Sequence, residues 1–114
     1  MIVTNLLTLH NQLKIHHWQT KSYAEHQALG GAYDEFSDLI DGFIEVFMGK
    51  YGRIESPGGF KIELDNYKDI SPTDFVDKYV GYLVNELPKS LEETDTDMLN
   101  IRGEMLGQLN KLKY

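Results

Sequence analysis

His17, His26, Asp34, Asp38, Asp41 and Glu45 are the residues of this chain whose types and spacing could do chemistry. Imidazole and carboxylate donors without thiolates suit Fe(II), Mn(II) or Zn(II). At about 100° per residue, Phe36, Ile40, Phe43 and Phe47 fall on one side of a helix, and the four acids fall within roughly 60° of one another beside them. Carboxylates at the edge of a buried stripe are either a solvated flank or metal ligands. Asp41 follows His26 by fifteen residues, about 22 Å along a helix at 1.5 Å per residue, which no ion bridges within one chain. His17 stands near the end of the preceding helix. If the chain reverses around Lys21 to Ala24, His17 and His26 come out level at one hairpin end. A two-fold dimer of antiparallel hairpins would then carry the histidines of one chain to Asp41 and Glu45 of the other, forming two sites at the interface.

Taken singly, these features are ordinary. An Asp-x-x-x-Glu spacing on a helix is usually a solvated face, and a lone helical histidine is usually structural. His10 and His16 read as exposed or core-edge histidines. No glutamate has a histidine three residues later, so an intra-bundle di-iron site of the Glu-x-x-His kind is not expected. Gly30-Gly31 and Gly58-Gly59 lack the lysine, spacing or strand context of a phosphate loop. Serines and histidines form no nucleophile-and-base motif. Trp18 and Tyr23 read as core or interface anchors rather than base-stacking platforms, since no basic groove accompanies them.

The elements that must position these residues follow from periodicity. Ile2, Leu6, Leu9, Leu13 and Ile15 predict a first helix over 2–20. The second is expected over 24–51, with Gly30-Gly31 near its start marking a close helix approach or a bend. Gly52 and Pro57-Gly58-Gly59 then open a loop running to about Ile70, in which the sequence leaves Phe60-Lys-Ile-Glu-Leu undecided between an extended and a helical turn. Ser71-Pro72-Thr73-Asp74 is a strong helix start: a cap, a proline at the first position and an acid at the third. Phe75, Tyr79, Leu83 and Leu87 carry the third helix over 72–87, where Pro88 disfavours continuation. Met98, Ile101, Met105, Leu109 and Leu112 carry the fourth over 95–113. A long connection between the second and third helices is what an overhand crossover requires.

Composition bounds the rest. A chain of 114 residues with a net charge of −7 is one domain, 1–114, of a size that commonly gains stability by association. The acidic balance argues against sequence-independent DNA binding and favours cations. Without cysteine there is no disulfide, thiolate zinc site or thiol catalysis. The opening Met-Ile-Val-Thr-Asn-Leu-Leu lacks the basic region of a secretory signal, no stretch approaches a membrane span, and a cytoplasmic location is expected.

A His-Trp pair closing one helix (His17-Trp18), a second histidine opening the next (His26), and Asp41-Gly-Phe-Ile-Glu45 about four turns on resemble the Dps mini-ferritins. Asp95-Thr-Asp-Met at the start of the last helix extends the similarity over most of the chain. The resemblance implies an all-α, ferritin-like four-helix bundle with a long crossover between the second and third helices. It implies a homo-oligomer, a dimer at minimum and a dodecameric cage in full, in which His17, His26, Asp41 and Glu45 bind Fe(II) at inter-subunit sites, with ferroxidase activity and iron storage; Zn(II) or Mn(II) would be substitutes. His26 and Asp41 would hold a second, weaker ion through water. The chain departs from that pattern in a shorter turn between the histidines, in Gly30 where many members place a further acid, in a shorter loop before the third helix, and in having no lysine-rich run before the first. Trimmed chains of this sort also resemble small proteins of tailed phages, which would place the chain in a host cytoplasm. The alternative is a non-catalytic Dps-like bundle serving as an oligomeric binding or scaffold protein, with the acids as a polar rim.

Overall fold

The computed structural model describes all 114 residues. The chain is all-α with no strand: α1 is Ile2–Gln19, α2 Tyr23–Tyr51, α3 Pro72–Gly81 and α4 Thr96–Lys113. The expected bounds of α1, α2 and α4 hold to within one residue. Helix starts are set by local chemistry. Ser22 accepts from the Glu25 amide and Ser71 from the Asp74 amide, each replacing a bond the first turn lacks.

The third helix departs from expectation. Regular bonding stops at Gly81, a π turn follows over Tyr82–Glu86, and a 3₁₀ turn over Leu87–Ser90. Pro88 explains it. The Leu87 amide bonds the Tyr82 carbonyl, five residues back, and the next donor in that widened ladder would be residue 88, which as proline has none. The Leu83 carbonyl is thereby orphaned, and Arg102 of α4 fills the vacancy with Nη1 at 3.2 Å. The change of pitch keeps Leu83 and Leu87 fully buried while Val84 turns outward to 44% exposure.

The core is one cluster. Leu6, Leu9 and Leu13 of α1 meet Leu29, Phe36 and Phe43 of α2, Phe75 and Tyr79 of α3, and Met98, Met105 and Leu109 of α4. Each large side chain so buried contributes about 1.5–3 kcal/mol before conformational entropy is set against it. α2 packs against α1 and α4, and α3 against α4 and α1, so α2 and α3, consecutive in sequence, are not close-packed partners.

The connection from Gly52 to Ser71 turns on Gly52, Gly58 and Gly59, whose φ values of 90°, 78° and 87° suit glycine. Its second half is strapped to α1. Gln12 donates to the Asp65 carbonyl at 2.9 Å and accepts from the Asp65 amide at 2.7 Å. Gln19 accepts from the Tyr67 amide, and His16 Nε2 donates to the Ile70 carbonyl at 2.9 Å. Residues 12, 16 and 19 share one face of a helix, so α1 offers the strap a polar stripe beside its apolar one. His16 is therefore not the exposed or core-edge histidine expected. It is wholly buried, edge-on to Tyr67 and Phe75. No helix is long and apolar enough to cross a membrane.

Candidate metal centre

The turn between α1 and α2 is Thr20-Lys21-Ser22, held by Thr20 Oγ1 donating to Glu25 Oε1 at 2.6 Å and accepting from the Ser22 amide at 3.2 Å. So tight a reversal sets His17 and His26 level, as the spacing predicted. Their rings stack at 3.8 Å between centroids, 15° from parallel. Each ring bonds the other residue's backbone: His17 Nδ1 donates to the His26 carbonyl at 2.6 Å, and His26 Nδ1 to the His17 carbonyl at 2.8 Å. The His17 carbonyl is one of the last four of α1, which have no partner within the helix, so the His26 imidazole closes that end.

This exchange fixes the tautomers. A carbonyl only accepts, so both Nδ1 atoms carry hydrogen, which leaves Nε2 as the nitrogen whose lone pair a metal would take. An imidazole anchored through one nitrogen to a carbonyl, with the other nitrogen free, is the arrangement metal-binding histidines use.

Gly30 belongs to the same device. A Cβ on Gly30 would lie 2.8 Å from His17 Cε1 and 3.1 Å from its Nδ1. The imidazole occupies the space a side chain would need, so an acid at this position is incompatible with the ring as placed. Gly31 beside it has nothing within 4 Å of such a Cβ. The close approach expected of the glycine pair is therefore made by Gly30, with a side chain of the neighbouring helix.

Asp41 and Glu45 lie on α2 and are exposed, as are Asp34 and Asp38. The ion pairs of the chain join other residues, and all four of these carboxylates are left to solvent. No three histidines, aspartates or glutamates gather within one chain closely enough to hold an ion. The sequence placed two imidazoles at the hairpin end and two carboxylates further along α2, and the structure keeps those pairs apart.

His10 is half-buried, the core-edge histidine expected; its neighbours Tyr33 and Lys14 were not singled out beforehand. His10 lies against Tyr33 at 5.9 Å between centroids, and Tyr33 lies 5.2 Å from His17. Lys14 Nζ sits 5.4 Å above the Tyr33 ring and 6.0 Å from that of Trp18. The spacing 10, 14, 17 places these α1 residues on one face, a signal legible in the sequence. Burial, with Lys14 adding to it, lowers the His10 pKa, against the opposing pull of a hydrogen bond to the Tyr33 backbone and of Asp41 and Asp34. Trp18 and Tyr23, expected as core or interface anchors, are 65% and 75% exposed and so are not core.

At the other end of α2, Asp95 is buried and takes hydrogen bonds from Lys50 Nζ, Tyr51 Oη and, at 2.8 Å, the Glu92 amide. Burial alone would push its carboxyl up. The bonds from Lys50, Tyr51 and the Glu92 backbone outweigh that and hold it down to about 2.

No solved structure matches the chain. A relative from Enterobacteria phage T4, an uncharacterized 14.6 kDa protein in the mobD-ri intergenic region, is 33% identical over 85 residues. That alignment takes in 72% of this chain and 64% of the phage protein. Residues 17–114, from the first of the stacked histidines to the last residue of the sequence, match DUF5856, a family of unknown function, and the chain belongs to that family.

Proposed function

We propose that this protein is a Dps-like, ferritin-like bundle that binds Fe(II) between subunits. His17 and His26 of one protomer would face Asp41 and Glu45 of its two-fold partner across α1 and α2. The observation that carries the proposal is the paired Nδ1–carbonyl anchoring, which leaves two Nε2 lone pairs free at an exposed hairpin end. The unpaired acids of α2 supply the complementary donors, and this mixed nitrogen and oxygen set suits Fe(II), with Zn(II) or Mn(II) as substitutes. The packing order of the helices, with a long connection joining the non-partners α2 and α3, supports the ferritin-like crossover.

The stack refines the ligand set. Near-parallel rings at 3.8 Å do not aim both in-plane lone pairs at a single ion. Each ring therefore serves its own ion, and His26 takes the second, weaker one with Asp41 through water. Iron is the substrate: oxidation to Fe(III) would need peroxide or O₂ as electron acceptor, and the side chains would bind and position the ion. Storage would follow from assembly into a dodecameric cage. Kinship with a T4 protein supports a phage origin and a host cytoplasm as the working compartment.

The test is anaerobic Fe(II) titration of Glu45→Gln, Asp34→Asn and His26→Ala, with sedimentation of each variant. Both acid changes remove one charge from the same stripe, so the long-range field predicts equal losses. Coordination predicts that Glu45→Gln weakens the tighter ion, and His26→Ala the second, weaker one, by at least the roughly 10–100-fold of an outer-shell loss, and that Asp34→Asn does far less to either. Equal effects of the two acids, with none from His26→Ala, would favour the second reading. That reading, a non-catalytic oligomeric scaffold, draws on the absence of any three-ligand group within one chain. A monomer at micromolar concentration would sink the interface site.

A further inference from the structure

Residues 60–64, Phe-Lys-Ile-Glu-Leu, behave unlike the rest of the connection. The strap begins at Asp65, and Gly59 closes the preceding turn on Ser56. Between them, no backbone N–H of residues 60–64 donates a hydrogen bond to the chain and no C=O accepts one from it. Phe60 and Leu64 are 40% and 39% exposed, and Ile62, between them, is half-buried but outside the core cluster. The segment has the period-two pattern of a strand, apolar at 60, 62 and 64 and charged at 61 and 63. Its backbone groups are free to pair as those of a sheet edge are.

The segment is also its own complement. Laid antiparallel on a second copy about a two-fold axis through Ile62, Phe60 faces Leu64, Ile62 faces Ile62, and Lys61 faces Glu63, twice over. The three apolar residues of each strand share one face, and the two opposite-charge pairs lie on the other. A parallel pairing in register would set Lys61 against Lys61 and Glu63 against Glu63. We propose that residues 60–64 form a two-stranded antiparallel ribbon with the same segment of a second copy of this chain. Among pairings of the segment with itself this axis alone matches both apolar and charged positions, and that self-complementarity makes a second copy the occupant.

This contact is separate from the metal reading. The strap that follows the segment is held by the Gln12, His16 and Gln19 face of α1, whereas His10, Lys14 and His17 lie on the far side of that helix. Two isologous contacts about different axes build more than a dimer; the smallest closed product is a tetramer.

The experiment compares Lys61→Glu, Glu63→Lys and the double exchange by sedimentation across a concentration series in chelator at low salt. Each single change sets like charges opposite one another at two places and should weaken association roughly tenfold. The double exchange should restore it. All should keep the parent's helical circular dichroism and melting, because the segment makes no backbone bond inside the chain. Amide exchange within 60–64 should slow as concentration rises in the parent and the double exchange, and stay fast in the singles. The proposal is overturned if the singles associate like the parent, or if the double exchange behaves like the singles, which would leave the edge to a foreign strand or to water. Fe(II) titration of the same variants should give the parent's affinity per chain, so this contact and the metal site fail independently.

Discussion

The two ends of α2 each hold a polar cluster, and the two are built on opposite plans. At the C-terminal end, an ammonium, a phenol and a backbone amide converge on the one buried carboxylate of Asp95, joining α2 to the start of α4. At the N-terminal end, His17 and His26 each spend one nitrogen on the other's backbone and keep the second free. A buried charge with both oxygens bonded is a fastening. A pair of anchored rings with spare lone pairs is a place where something else fits. Titratable residues mark both ends, and only the hydrogen-bond inventory separates the two.

The largest expected effect is at the fastening. Asp95→Asn should lower the melting temperature at pH 7 more than any change at the histidine end, because Lys50 and Tyr51 lose their charged acceptor. Asp95 has a depressed carboxyl, so its stabilisation is present above the unfolded value of 3.8 and is lost as pH falls through about 2. The gap between parent and variant should therefore close over that interval. Melting curves from pH 7 to pH 2 decide it, and a gap independent of pH would remove Asp95 from its role.

Next comes Gly30→Ala. Its methyl would meet His17 Cε1 at 2.8 Å, and the ring, tied by its bonds and its stack, must move. Fe(II) affinity should fall roughly 10–100-fold, whereas the melting temperature should change little, because alanine returns about 1 kcal/mol of helix propensity. Titration and melting of one preparation measure both, and unchanged affinity would show that ring position is not what binds metal.

Gly31→Ala provides the contrast at the adjacent position. With nothing within 4 Å, it should raise stability by about 0.5–1 kcal/mol in urea melts and leave Fe(II) binding untouched. A loss of stability would mean that this face is covered in the assembly.

The smallest effect belongs to His10. Its pKa is lowered, by burial first and then by Lys14, so the folded chain binds fewer protons than the unfolded one just below the ordinary value of 6.5. Stability should decline as pH falls from that value until the folded pKa is passed, and His10→Gln should flatten that shallow limb. An unchanged slope from pH 7 to pH 5 would count against it.

What the sequence made legible, and what it hid, follows the same division. Apolar periodicity marked all four helices, and the Ser71-Pro72 start was found because capping is a local event. The level placement of His17 and His26 was readable because a short turn leaves little choice. The π turn was hidden: Pro88 announces an end, but whether the preceding ladder frays or widens depends on Arg102 reaching Leu83 from another helix. Gln12, His16 and Gln19 read as ordinary polar residues because their partners are backbone groups some fifty residues away, which side-chain patterns do not encode. Gly30 looked like a missing ligand, and its reason is a ring on another helix. The pairing of hairpins that would join the histidines to Asp41 and Glu45 lies between chains, beyond what one chain's geometry displays.

Trp18 is the only tryptophan of the chain, 65% exposed and next in sequence to His17. Its emission comes from one environment, at the residue adjoining the imidazole that would meet iron. A paramagnetic ion on that ring would quench the indole at close range, and a partner protomer closing over the hairpin would shift its emission to the blue. Quenching and colour are independent readouts. The protein thus carries an optical probe able to tell metal arrival from subunit arrival, with no label attached.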